Sequence, residues 1–416
     1  MGTMIGSGVF LLPASLAPFG WNAVGGWVLT IGGALVLAKI LSDLTRHHFG
    51  QGNTTAFVRS AFGPVPEFLV AWVYLVSLAT GAVTIAVAAV SYLSNMVPAA
   101  ASTPAATTVS VLALIWGVTL INVRSVRTAG GFQIVTLAIK LVPLLVVGFL
   151  AVLVLSGGEA APPPLEPGAI SLSVLNSAAV LTLWALLGFE TASLAAQQVE
   201  KPERNVPRAT LWGAAMTGAL YLVVCSAISL LLPAAEVAGS TAPFATFVER
   251  FWGAGPAALI AAFAVVSCVG ALNGQTLLMG ELPRTMAEDG LLPRWIGGTD
   301  GSGTPRRALI VSALAASVFA VLNASNGLKA AFEFMLVLST SATLWLYFAC
   351  ALAAMRLGVS RWLAAAGAIY ALWTLWGAGM WGSGLSLVLM GAGLPIYWWA
   401  RRERAVASVG ERYSSG

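Results

Sequence analysis

The chain is divided into apolar runs of about twenty residues, and that feature limits its fold more than any other. Read between charged or Pro/Gly-rich breaks, about twelve such runs lie near residues 4–18, 24–42, 66–97, 107–123, 131–156, 173–198, 209–233, 256–280, 308–323, 330–355, 361–380 and 383–400. A helix needs roughly 20 apolar residues to cross a hydrocarbon core. Inside that core every backbone N–H and C=O must find a partner within the protein, which leaves helices or closed barrels. The runs are too long and too continuous for barrel strands. An all-α membrane protein of about 12 transmembrane helices is therefore predicted.

Composition excludes the alternatives. Of 416 residues, 58% are hydrophobic and 9% charged, whereas a soluble domain carries roughly 25% charged residues. A soluble enzyme, a nucleic-acid binder and a disordered chain are set aside together. The net charge of +5 comes from few residues placed in loops, so it implies no nucleic-acid partner. Lipid is the expected surrounding. Cys225, Cys268 and Cys350 all lie inside apolar runs, with neither disulfide nor zinc spacing. They read as small packing residues. His47 and His48, adjacent in a predicted loop, do not converge on a metal. No catalytic group, metal or cofactor is expected. A membrane-embedded enzyme would need paired carboxylates, a His/Asp/Glu cluster or a nucleophile with its base inside the spans.

Basic residues orient the bundle. With the loops after even-numbered runs on one side, 18 Lys and Arg fall there, against Arg250 and Lys329 on the other, and Lys140 stays inside a run. The positive-inside rule then places both termini in the cytoplasm of a bacterial inner membrane protein. The chain opens directly with Met1-Gly2-Thr3-Met4-Ile5, so no cleavable signal peptide is expected, and its first run is short. Tyr397, Trp398 and Trp399 beside Arg401 read as interfacial anchors.

A bundle without nucleotide loop or triad pattern is most often a transporter, and such proteins bind substrate where helices are broken near the midplane. Gly6-Ser7-Gly8 in run 1 is one candidate break. A helix restarting after Gly8 would aim its unpaired N–H groups at a carboxylate, although Gly-x-Gly in a membrane helix also serves plain packing. Trp184-Ala185-Leu186-Leu187-Gly188-Phe189-Glu190 in run 6 is the second. Gly188 can break the helix and free the carbonyls of Trp184 and Leu187 for an ammonium group. A carboxylate at the depth of Glu190 costs roughly 2.5–3.5 kcal/mol if uncompensated. It either caps the broken backbone or acts as a gating, proton-sensing group. Lys140, mid-run 5, either snorkels to an interface or stands as a fixed or protonatable cation where a coupling ion would sit. Breaks in runs 1 and 6 are what two inverted five-helix halves predict.

These residues resemble the amino acid–polyamine–organocation transporters, nearest to the bacterial arginine/agmatine and basic-amino-acid antiporters. The likeness runs over nearly the whole chain. It is carried by Gly6-Ser7-Gly8-Val9-Phe10-Leu11-Leu12-Pro13, by Phe62-Gly63-Pro64 after Gly52-Asn53-Thr54-Thr55-Ala56-Phe57, by Glu200-Lys201-Pro202-Glu203-Arg204-Asn205-Val206-Pro207-Arg208-Ala209, and by Ala287-Glu288-Asp289-Gly290-Leu291-Leu292-Pro293 following Arg284. The resemblance implies a five-plus-five inverted-repeat fold working by alternating access. Residues 1–156 would form the first repeat (helices 1–5) and 173–355 the second (helices 6–10). Helices 11 and 12 follow at 361–400, and 401–416 form a cytoplasmic tail. Relatives carry roughly twenty residues ahead of Gly2, including the inner half of helix 1, so helix 1 is expected to be truncated and transport by this chain impaired.

Carried over residue by residue, the likeness implies that the substrate carboxylate meets Ser7 and the Gly8 backbone. The amine would meet carbonyls of Met4, Trp184 and Leu187, with Trp184 doubling as outer lid. Tyr74 and Glu190 match gating positions. Two departures bear on the substrate, an amino acid or amine. A tryptophan of helix 8 that stacks a guanidinium is Gln275 here, and an asparagine of helix 3 is Ala82. A desolvated cation–π contact contributes about 2 kcal/mol or more, so its loss weakens the case for arginine. Ser77 and Ser341 remain as polar groups in that pocket. Lys140 matches a lysine of broader amino-acid permeases, which draws the reading toward neutral amino acids. A homodimer through the last two helices and a non-transporting subunit of the same fold stay open.

Overall fold

The computed structural model describes residues 4–5, 8–47, 54–124, 126–190, 201–301 and 303–414. Its main helices are α1 (Leu12–Leu16), α2 (Trp21–His47), α3 (Pro64–Met96), α4 (Pro104–Arg124), α5 (Val126–Gly157), α6 (Leu172–Leu186), α7 (Pro202–Leu231), α8 (Ala254–Glu288), α9 (Arg306–Leu322), α10 (Leu328–Leu357), α11 (Arg361–Gly377), α12 (Leu385–Ala392) and α13 (Leu394–Ser414). Short helices Ala56–Phe62, Ala234–Gly239 and Pro243–Trp252 lie in the connections, and no strand occurs among the described residues. Prolines mark several starts: Pro64, Pro104 and Pro202 each open a helix, where the missing N–H would be unpaired in any case.

Eight described stretches are long and apolar enough to cross a membrane, namely α2, α3, α4, the 138–157 part of α5, α7 from Arg204, α8, α10 and Met380–Arg404. The twelve-run expectation is therefore met only in part. α9 and α11 have 17 residues each. The deficits that matter are runs 1 and 6. In the first, only five residues are α-helical. In the second, a run predicted to reach residue 198 stops as a helix at Leu186, and residues 191–200 lie outside the described part. His47 closes α2 rather than sitting in a loop, with its Nδ1 2.8 Å from the Asp43 carbonyl; His48 lies outside the described residues.

α3 is the central post. It is buried along nearly all its length and packs lengthwise against α8 and α10. Small residues permit that approach, as packing in lipid requires. Ser77 of α3 donates to the Ser339 carbonyl of α10 at 2.9 Å, and the Ser339 hydroxyl returns the bond to the Ser77 carbonyl at 2.9 Å. α2 packs against α6, α7 and α11. The buried Thr30 and Thr182 hydroxyls meet there at 2.7 Å, a contact of about 0.6 kcal/mol between membrane helices. α4 and α5 turn Val109, Leu120, Leu145, Phe149 and Val152 outward. On a soluble surface such a face would be a liability; against acyl chains it is the expected exterior. Trp362, Trp376 and Trp381, all strongly exposed, flank α11 at its two ends, where amphipathic rings anchor a helix at the interfaces. The three cysteines are buried and unbridged.

Candidate functional site

Both interruptions sit against α3 and α10. In the first, chain turns lead into α1, and the N–H groups of Leu11 and Leu12 both reach the Gly8 carbonyl, at 3.0 and 3.2 Å. Phenols from neighbouring helices hold its other carbonyls. Tyr92 of α3 donates to the Phe10 carbonyl at 2.8 Å and accepts the Phe244 N–H at 3.1 Å. Tyr221 of α7 donates to the Met4 carbonyl at 2.9 Å. Fully buried phenols thus replace the i→i−4 bonds that a broken helix forfeits. Ser7, predicted to face a carboxylate, and Gly6 of the expected break lie outside the described residues.

In the second interruption α6 ends on Leu187, whose φ of −61° and ψ of 152° are extended. Gly188 follows at φ +109°, a conformation that L side chains rarely adopt. The reversal swings Glu190 back beneath the helix end. Its Oε2 accepts the Gly188 N–H at 2.9 Å and the Tyr347 hydroxyl of α10 at 2.5 Å, and its Oε1 accepts the Tyr74 hydroxyl of α3 at 2.9 Å. The carboxyl, 4% exposed, therefore has three donors. It caps the broken backbone and ties α3, α6 and α10 together at one point. Phe189 stacks on the Tyr347 ring at 5.0 Å.

A second contact, predicted from the resemblance to act as an outer lid, lies at the Trp184 side. The Trp184 and Phe332 rings meet edge to face at 5.9 Å and 86°. Gly8 fits beneath them so closely that an added Cβ would stand 2.5 Å from both rings. Between the Trp184–Phe332 contact and the Glu190 knot is a small cavity. Tyr74, Ser77, Trp184, Leu187, Glu190 and Gln275 line it together. So six of the residues read from the sequence share one space.

The others are placed differently. Gly8 supports the lid, and Met4 is buried with its carbonyl engaged by Tyr221. Ala82 is buried beside Gly81 but does not line the cavity. Ser341 donates to Val337 within its own helix and abuts Gly382, which turns it toward the α11–α12 connection. Lys140 is fully buried, so the snorkelling reading fails. Gln275 is held, not loosely packed: its amide donates to the Leu78 carbonyl of α3 at 3.1 Å.

Ser339, Thr343 and Tyr347 were not read from the sequence. They recur every four residues on α10, a polar stripe at helical spacing that would have pointed to them. Ser77 contacts both of the first two, with Thr343 Oγ1 at 2.5 Å. Gly81 was also missed. An added Cβ there would stand 2.8 Å from the Gln275 amide nitrogen and 3.2 Å from Ser339 Oγ, so its bare backbone makes room for the amide.

Comparison with known proteins fits this geometry. The family described as amino acid permease matches residues 1–404. The chain belongs to the amino acid permease family. The permease thus falls within the amino acid–polyamine–organocation superfamily, whose members of this kind are transporters and not enzymes. It is 30% identical over 327 residues to the cadaverine/lysine antiporter of Escherichia coli (strain K12), covering 77% of this chain and 72% of the antiporter. It is 26% identical over 396 residues to the putrescine transporter PotE of the same strain, covering 91% and 89%. The PotE of Haemophilus influenzae is 26% identical over 397 residues, with the same coverage.

The Gly81 cradle yields a prediction for the permease. Gly81→Ala should displace the Gln275 amide, the far end of a flexible side chain, without unfolding the bundle. Losing a single bond of that kind raises the substrate KM about fivefold. Exchange kinetics and a thermal melt, measured together, check this: an unmoved KM, or a melting point lowered by tens of degrees, contradicts it.

Proposed function

We propose that the permease exchanges a basic amino acid for an amine or diamine by alternating access, with the substrate held in the cavity between the Trp184–Phe332 lid and the Glu190 knot. The observation that carries this reading is the reversal at Gly188, which brings a buried carboxylate, a helix end and an aromatic lid around one polar space. The Trp184 carbonyl, expected to be free, accepts the Leu187 N–H at 3.2 Å, so it is the buried carboxylate and the negative end of the helix dipole that suit an ammonium group. The substrate carboxylate is assigned to Ser7 and the Gly8 backbone on the family resemblance alone. The names of the two relatives, a cadaverine/lysine antiporter and a putrescine transporter, favour lysine and diamines over arginine and agmatine. In this proposal residues 1–156 and 173–355 are the inverted repeats, 361–400 the appended helices, and both termini cytoplasmic. Lys140 stands as the fixed cation of a coupling site. Opening one closure while the other holds alternates the access.

A second reading, neutral amino-acid exchange, is favoured by Gln275 and the hydroxyls of Ser77 and Thr343, which offer neutral polar contacts to a side chain. Proteoliposomes preloaded with one compound at a time decide between them, using labelled lysine, cadaverine, putrescine, arginine, agmatine, leucine and alanine. Lysine and diamines are expected to exchange. Exchange confined to leucine and alanine moves the assignment to the neutral class, and no exchange with any of them removes the transport reading.

A further inference from the structure

Beyond the Trp184–Phe332 contact, toward the N-terminal end of α10, a larger and a smaller pocket flank α1. Ser15 and Lys329 line both, Glu333 lines the larger, and Phe332 of the lid lines the smaller. The two pockets therefore adjoin at Ser15 and Lys329, and the smaller reaches Phe332. Their polar groups are of both signs and are not spent on one another. Lys329 Nζ donates to the Ala238 carbonyl at 3.1 Å. Glu333 lies one turn further along the same helix face, half-buried, and makes no hydrogen bond or ion pair among the described residues. Ser15 is 3% exposed and its hydroxyl has no partner. A hydroxyl so buried ordinarily has one.

We propose that Lys329, Glu333 and Ser15 form a loading site for the headgroup of an amino acid. The α-carboxylate meets Lys329, the α-ammonium meets Glu333, and the Ser15 hydroxyl supplies the third contact. A free amino acid presents both charges on one carbon and can span a cation and an anion that do not pair directly. A diamine has no carboxylate, and each of its ends is repelled by Lys329. The site thus favours amino acids over diamines at this face. It rests on the exchange activity proposed above.

The test measures KM for lysine and for cadaverine at each face separately, using right-side-out and inverted membrane vesicles. Glu333→Gln removes no intramolecular contact. It should raise the lysine KM about fivefold at one face, the scale of a solvated ion contact, and leave kcat and the opposite face unchanged. Lys329→Gln should do the same for lysine but lower the cadaverine KM at that face, and Lys329→Arg should restore both. Ser15→Ala should raise the lysine KM about twofold. Lysine KM values unmoved in Glu333→Gln and Lys329→Gln, or moved equally at both faces, overturn the loading site while leaving exchange intact. A wild-type protein that exchanges nothing overturns both.

Discussion

Replacing Glu190 with alanine is expected to abolish exchange and to lower the melting temperature of the permease in detergent. The carboxyl accepts bonds from Tyr74, Tyr347 and the Gly188 N–H. Its removal leaves three buried donors without an acceptor, each of which carries a desolvation penalty of about 1–3 kcal/mol. Even the lower sum, about 3 kcal/mol, changes the population of the closed state more than a hundredfold. The effect falls on transport because the three donors come from three elements. Tyr74 is on α3, Tyr347 on α10 and Gly188 at the end of α6, so in the proposed cycle the knot must open for these elements to part locally. Glu190→Gln separates charge from hydrogen bonding. Its carbonyl can still accept from one phenol and the Gly188 N–H, while its amide turns a donor toward the other phenol, whose oxygen can accept. About a tenfold loss of exchange is expected, with little change in melting temperature. Exchange in reconstituted liposomes, beside a melt of the same preparations, checks both. Wild-type exchange in Glu190→Ala would show that the knot is not a closure.

How much of this was legible beforehand follows from what each feature depends on. The membrane bundle was, because apolar runs of about twenty residues admit almost no other solution. So was the break after Leu187, since Gly188 next to a deep glutamate signals both a reversal and a need for partners. The partners themselves were not. Tyr74 and Tyr347 are 273 residues apart in the chain, and only the packing of α3 against α10 brings them to one carboxyl. The failure at Ser341 has the same origin. The resemblance placed it in the pocket, but the register of α10 against α3 gives the cavity to Ser339 and Thr343 and turns Ser341 to Gly382. The end of α2 was misjudged by composition alone: paired histidines suggested a loop, whereas His47 is held to the last turn by the Asp43 carbonyl. Lys140 marks the limit of a one-dimensional argument. Its distance from the run's end made snorkelling a stretch without excluding it, and its complete burial argues against that option.

Gly8→Val is expected to stop exchange for a different reason, and the loss should be reversible by a second substitution. A Cβ at Gly8 would stand 2.5 Å from Trp184 Cζ3 and 2.5 and 2.8 Å from Phe332 Cε2 and Cζ. These atoms are ring edges in a packed, buried contact, not the ends of flexible chains. Forcing carbon atoms into such a site costs about 1–3 kcal/mol per overpacked group. The strain exists only while the lid is shut, so the variant should favour the open arrangement and lose the occluded step. Gly8→Ala should show the same effect in milder form, about a tenfold loss of exchange. Truncating Phe332 removes one of the two obstructing rings and gives Trp184 room to shift away from the new Cβ: Gly8→Ala with Phe332→Ala should recover part of the activity, although Phe332→Ala alone lowers it by opening the lid. The interaction between the two substitutions, obtained from exchange rates of both single variants and the double, is then favourable and about 1 kcal/mol or more, as expected for residues in direct contact. Additive losses would mean that Gly8 and Phe332 act independently. The tight fit would then be a packing detail of α1, and closure over the substrate would have to come from elsewhere in the fold.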